Sequence, residues 1–190
     1  MLKDLLLKNR SYRRFAPEPV LSEADMYDLV EAARLSPSAR NEQAVRFIPV
    51  NSQAACNTLF PLCAWAGYLR DWEGPAENER PTCYLIVLVD TRINDACDTD
   101  IGIMSQSILL RTVEKGFGGC MLGSIDREAI RKAFSIEEYY IIRYVIAFGK
   151  PCEKVVIEDM KNDDVHYYRD DMDVHHVPKR GFDALIIRKF

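Results

Sequence analysis

Tyr84-Leu85-Ile86-Val87-Leu88-Val89-Asp90 is an unbroken apolar run closed by an acid. It is rich in β-branched residues and has no alternation, the pattern of a central strand buried on both faces. A strand covered on both sides requires helices above and below it, so the neighbouring segments are read for amphipathic helices. On the N-terminal side, Ser22-x-x-Asp25 forms a capping-box pattern ahead of Met26, Leu29, Val30 and Ala33. This predicts a helix over 22–35, ended by Ser36-Pro37. Arg46 to Val50 reads as a short strand, and 65–81 as an irregular loop able to cover a pocket. On the C-terminal side, Ile101, Met104, Ile108, Leu109, Thr112 and Val113 keep helical spacing between Ala96 and Lys115, and Gly116 supplies a stop. Few charges interrupt that helix, which places it in the core or at a subunit interface. Strands are expected at 117–122 and 140–148, with a short helix over 126–134 between them. The resulting order, αα-β-α-β-α-β-α-β, is that of an α+β or α/β layered domain. The tail 152–190 lacks a hydrophobic period until Phe182-Asp-Ala-Leu-Ile-Ile, and is expected to wrap around the domain or a partner subunit.

At 190 residues the chain reads as one domain, 1–190, with 48% hydrophobic and 28% charged residues. A net charge of −4 argues against broad nucleic-acid or membrane-surface binding. No apolar run has the length of a membrane span, and the charged start Met1-Leu-Lys-Asp does not read as a signal peptide, so a cytoplasmic location is expected. The six cysteines (56, 63, 83, 97, 120 and 152) contain no C-x-x-C and are expected to be reduced core residues.

Four segments carry chemistry. Arg10-Ser11-Tyr12-Arg13 sets two guanidinium forks about a hydroxyl, a donor set for a phosphate monoester. A solvated basic helix end is the alternative, and the basic pair Lys179-Arg180 strengthens the phosphate reading if the two chain ends meet. Pro37-Ser38-Ala39-Arg40-Asn41-Glu42-Gln43 offers neutral donors and acceptors for the polar edge of a heterocycle, or equally a turn with a cap. Gly116-Phe117-Gly118-Gly119, with Gly123 beyond, either lets backbone approach a flat ligand or caps a helix before a tight turn. His175-His176 among Asp170, Asp171 and Asp173 is not read as a metal site, because adjacent histidines diverge in regular structure and no third ligand is suitably spaced.

In this order, the pieces resemble the nitroreductase family of FMN-dependent oxidoreductases. The likeness runs through Arg10-Ser11-x-Arg13-x-Phe15, Glu31-Ala32-Ala33, Pro37-Ser38-Ala39-x-Asn41-x-Gln43, the strand 84–90, Gly102 and Gln106. It continues through Gly116-Phe117-Gly118, Leu122-Gly123, Phe148-Gly149-Lys150-Pro151 and Pro178-Lys179-Arg180. Asn9 stands where many members have a further Arg.

The resemblance implies an α+β sandwich with a central, mostly antiparallel sheet flanked by helices, and a homodimer in which the tail adds to the partner's sheet. It implies that Arg10, Ser11 and Arg13 hold the FMN phosphate, completed by Lys179 and Arg180. Pro37, Ser38, Ala39, Asn41 and Gln43 would line the flavin ring and ribityl chain across the dimer interface, with Leu122 and Gly123 beside the isoalloxazine. The implied activity passes hydride from NADH or NADPH through flavin N5 to a nitroaromatic, quinone, enone or flavin by a ping-pong mechanism, with no catalytic side chain named. An FMN-binding electron-transfer or redox-sensing protein without efficient nicotinamide turnover is the alternative, and a module binding another phosphorylated ligand is a third reading.

Overall fold

The computed structural model describes residues 1–190. In chain order it contains α1 (Leu2–Lys8), β1 (Phe15–Ala16), α2 (Glu23–Arg34), β2 (Val45–Val50), α3 (Gln53–Leu59) and β3 (Cys83–Asp90). These are followed by α4 (Asp98–Glu114), β4 (Gly118–Leu122), α5 (Arg127–Ala133) and β5 (Tyr140–Pro151). The tail adds β6 (Val155–Asp159), β7 (Tyr168–Arg169) and β8 (His175–Lys179).

Every residue of β3 is buried, which is the condition its unbroken apolar run demands. It pairs antiparallel with β2 on one side and with β5 on the other. β5 is long enough to pair along its other edge with both β4 and β1, so the central sheet is antiparallel throughout. Side chains alternate across this sheet. Leu85, Val87 and Val89 join Met26, Leu29, Ile101 and Ile108 in one core layer under α2 and α4. Tyr84, Ile86 and Leu88 join Leu59, Ile130 and Ile142 in a second layer under α3 and α5. The result is an α+β sandwich of helices, sheet and helices.

The helix ends follow local rules. Ser22 and Asp25 form the reciprocal capping box ahead of α2. Gly116 takes φ +81° after α4, its N–H donates to the Val113 carbonyl (2.9 Å) and that of Phe117 to the Thr112 carbonyl (3.0 Å), the paired bonds of a Schellman stop. All six apolar-spaced positions of α4 are buried.

The tail departs from expectation in having regular structure. β8 pairs parallel with β6 and antiparallel with β7, yet among residues 152–190 only His175 is buried. Ion pairs and aromatic contacts, not an apolar layer, hold this small sheet to the domain. Five of the cysteines are buried as expected, whereas Cys152 is exposed, because it follows the end of β5 at the sheet margin.

Candidate functional site

The segment after α1 runs beside β4: Ser11 bridges Gly119, and the Tyr12 N–H donates to the Gly119 carbonyl (3.1 Å). The approach needs glycine. A Cβ at Gly118 would collide with the Tyr12 ring and lie 2.7 Å from Pro151 Cγ. The glycines of β4 therefore admit the protein's own side chains rather than a ligand, whereas Gly123 faces open space. One buried carboxylate fixes the same segment. Glu153, with a side chain 2% exposed, accepts from the Arg13 N–H, from the Arg14 N–H (3.1 Å) and from Arg169 Nη2 (3.0 Å).

This placement turns Arg10, Ser11 and Arg13 into a cavity of about 320 Å³, with Asn9, and with Gln106 and Leu109 of α4. Alternate residues of β8, namely His175, Val177 and Lys179, form the facing wall. The chain ends thus meet, and Lys179 joins the cluster. Arg180 points elsewhere and donates to Asp163 (2.6 Å), since neighbours on extended chain project to opposite sides. The same alternation sends His176 away to Glu158 (2.9 Å) and Asp170 (3.0 Å), so the two histidines diverge.

A second hollow of about 220 Å³ adjoins the first and shares Arg13, Cys120, Met121 and Tyr167 with it. Leu122 and Gly123 line this half, together with Trp65, Ala66 and Gly67 of the loop after α3. The 65–81 segment does border a pocket. Tyr167 stands between the halves, with the Arg13 guanidinium 4.8 Å from its ring centroid and the His175 ring 5.2 Å away.

No carboxylate lines either half, and Arg10, Arg13 and Lys179 take no part in any ion pair. Arg14, one residue on, is by contrast neutralised by Glu79 (3.1 Å) and Asp173. Three cations left without counter-charge around one cavity are suited to an anion. His175, 1% exposed, lies 3.3 Å from Arg13 Nη1 through Nε2, so Nε2 accepts and the proton sits on Nδ1. Burial, then the Arg13 and Arg169 charges, push its pKa down to about 4, which keeps it neutral. Its Nδ1, Arg10 Nε and Trp65 Nε1 are buried without partners. Burial also pushes the Cys120 thiol up, so it is no thiolate nucleophile.

The loop 37–43 is built for a fixed shape. Ser38 Oγ donates to the buried Asp100 (2.8 Å), the Ala39 N–H donates to the same carboxylate (3.0 Å), and the Gln43 N–H donates to Ser38 Oγ (3.0 Å). Arg40, Asn41 and Gln43 adopt left-handed backbone. Within one chain none of Pro37, Ser38, Ala39, Asn41 and Gln43 lines the cationic cavity. Gln43 instead opens onto a separate hollow of about 420 Å³ with Val45, Phe47 and Met104.

His175, Tyr167 and Trp65 are the site residues that sequence reasoning missed. The signal for His175 was its spacing, His175-x-Val177-x-Lys179, one face of a strand that ends in a predicted site residue.

The Nitroreductase family profile matches residues 6–73 and 76–150. The chain belongs to the nitroreductase family. A nitroreductase-family relative in Bacillus subtilis, named provisionally as the NAD(P)H nitroreductase YfhC, is 28% identical over 170 residues, covering 80% of this chain and 86% of that protein. An FMN-dependent nitroreductase from Clostridium difficile shares the fold at TM-score 0.65 and 21% identity, over 84% of this chain and 91% of its own. A protein of Exiguobacterium sibiricum, described provisionally as a nitroreductase and solved in complex with FMN, does so at TM-score 0.67 and 19% identity, over 80% of this chain and 89% of its own. Family membership makes this chain an oxidoreductase of nitroreductase type, and no helix in it is long and apolar enough to cross a membrane.

Proposed function

We propose that this protein is an FMN-dependent oxidoreductase that moves hydride from NADH or NADPH to an electron-poor acceptor (a nitroaromatic, quinone, enone or flavin) by a ping-pong mechanism. The observation that carries the proposal is the convergence of Arg10, Ser11, Arg13 and Lys179, from opposite ends of the chain, on a cavity without any carboxylate. Such a donor set suits a phosphate monoester.

When bound, FMN supplies a ring that takes up and releases hydride at N5. Arg10, Ser11, Arg13 and Lys179 would hold the phosphate. Arg13, kept in place by Glu153, His175 and Tyr167, presents a fixed positive charge between the two halves of the cavity. That charge would favour negative charge on a bound ring. Leu122 and Gly123 border the ring, and Trp65 to Gly67 limit access of water. Arg180 serves the site by anchoring the end of β8 to Asp163 rather than by contact.

Pro37, Ser38, Ala39, Asn41 and Gln43 complete the ring wall from a second subunit, because they do not reach the cavity of their own chain. A homodimer also gives a place to the exposed apolar side chains Phe182, Leu185 and Ile187, which would lie along the partner's sheet with the rest of the tail. The outer edge of β2, the last strand of the sheet, is free to receive a strand. The protein is proposed to work in the cytoplasm.

The test is the visible spectrum of freshly purified protein, with the cofactor released by heat and identified by chromatography, followed by NADH and NADPH oxidation with added quinone. FMN at about one per subunit with rapid nicotinamide oxidation is the expected result. Tight FMN with negligible nicotinamide reduction would instead favour an electron-transfer or redox-sensing protein. Colourless protein that takes up no added FMN would overturn both.

A further inference from the structure

Part of the wall in the ring half of the flavin cavity has nothing packed against it. Gly123 lines that half, yet a Cβ built there would meet no atom within 4 Å, so side-chain packing does not hold this backbone. Glycine is also the residue whose own dihedrals restrain it least. Strand β4 ends one residue earlier, where Leu122 pairs with Val145 of β5. Gly123 and Ser124 are both exposed and both line the hollow, and neither backbone N–H donates to another group of the chain.

Arg127 supplies the restraint that packing does not. Its Nη2 donates to the carbonyls of Gly123 (3.2 Å) and Arg143 (2.8 Å), and its Nε donates to that of Ile142 (3.0 Å). The last two carbonyls lie on β5 beyond its pairing with β4, where β5 bulges against β3. One guanidinium therefore ties the turn after β4 to the central sheet. On the other side of the turn, the Ala64 N–H donates to the Ser124 carbonyl (2.9 Å). None of the Arg127 acceptors is a carboxylate and the side chain makes no ion pair, so its charge is not neutralised. Arg127 also opens α5, the helix end where the dipole disfavours a cation, so helix formation gives no reason for an arginine here.

The Gly123–Ser124 peptide is trans, so its N–H points opposite to its C=O. The carbonyl is turned to Arg127, which lines neither half of the cavity, and the Ser124 N–H is turned the other way. A charged donor on the carbonyl of an amide also polarises that amide and strengthens its N–H. We propose that Arg127 is a positioning residue for the flavin ring. It sets the Gly123–Ser124 peptide as a fixed, polarised donor in the ring half, and Ser124 joins Leu122 and Gly123 in the wall through its backbone. This rests on the FMN reading above. Fixed donors favour the reduced, negatively charged ring over the oxidised one, so the clamp acts on the redox balance of bound flavin and not on its binding alone.

The test is the midpoint potential of the FMN-loaded protein, read spectrophotometrically against a reference dye. Arg127→Gln should lower the ratio of affinities for reduced over oxidised FMN about ten-fold, a fall of about 30 mV for a two-electron couple. Arg127→Lys keeps the charge but loses the fork that spans these carbonyls, and its potential should also fall below that of the parent. Arg131→Gln is the structural control. Arg131 lies on the same helix, donates in the same manner to the carbonyls of Ile136 (3.2 Å), Glu137 (2.7 Å) and Tyr140 (2.8 Å), and lines neither half of the cavity. Its loss should lower stability and leave the potential at the parental value. Ser124→Ala retains the N–H and should match the parent. The proposal is overturned by a parental potential in either Arg127 variant, by an equal shift in Arg131→Gln, or by a shift in Ser124→Ala. Parent protein that takes up no FMN would overturn the FMN reading and this proposal with it, whereas a parent that binds FMN beside unshifted Arg127 variants overturns this proposal alone.

Discussion

Arg13 is held from several sides in the cationic cavity: its N–H is held by Glu153, its guanidinium meets His175 (3.3 Å), and Tyr167 lies beneath it. None of these partners neutralises its guanidinium, so its charge is available to a ligand. A hydrogen bond to a charged group contributes about 1.5–3 kcal/mol, so Arg13→Ala should weaken FMN binding by roughly 10- to 150-fold. Quenching of flavin fluorescence on titration measures this, and unaltered affinity would remove Arg13 from the site. His175 gives a pH signature. The unfolded chain protonates this imidazole below 6.5, whereas the folded one holds it neutral to about 4, so the unfolded state binds more protons between those values. Its contribution to stability is present above that window and is lost as pH falls through it. His176 acts oppositely, its pKa being raised by Asp170 and Glu158. Comparing parent with His175→Gln cancels that effect, and melting curves at pH 7.5 and 5 should show a shallower acid loss in the variant.

At the scale of elements, the site depends on a join between the N-terminal segment and the tail. Glu153 makes that join from the turn after β5, holding Arg13 and Arg14 through their backbone and Arg169 through its side chain. Arg169 in turn covers Trp72 (4.3 Å), which links β7 to the 65–81 loop. Removing one partner of a buried charged network costs about 3–5 kcal/mol, because the remaining donors lose their acceptor. Glu153→Ala should therefore lower unfolding stability by about that amount in denaturant titration and reduce flavin occupancy in parallel. A variant of parental stability that binds flavin fully would show that the join does not position the site.

For the whole molecule, the open question is what covers the apolar end of the tail. Phe182 and Leu185 are more than two-thirds exposed and Ile187 almost wholly so, a run costly to leave in water. If these residues lie on a partner's sheet as proposed, deleting 182–190 removes much of the interface while sparing Lys179 and β8. Light scattering after size exclusion should then report a shift from dimer to monomer at micromolar concentration, with weaker flavin retention because the 37–43 loop of the partner is lost. A truncated protein that remains a stable, yellow dimer would exclude the wrapping tail.

Local pattern was enough for much of this protein. The apolar run at 84–90 has the pattern of a strand covered on both faces, the capping box at Ser22 and the glycine at 116 mark helix ends through backbone chemistry that needs no distant partner, and the order of motifs disclosed the family. Two things lay outside its reach. The small tail sheet has almost no buried apolar residue, so it leaves no hydrophobic period; it is tied to the domain because His175 and Tyr167 find partners far away in the chain, while Arg169 meets Glu153 at the start of the tail. The composition of the cavity was likewise hidden. Arg13 and Arg14, or Lys179 and Arg180, are indistinguishable as letters, and the fold separates them by setting one of each pair against acids and leaving the other unpaired. Long-range contacts decide which charges are neutralised, and therefore which remain to bind a ligand.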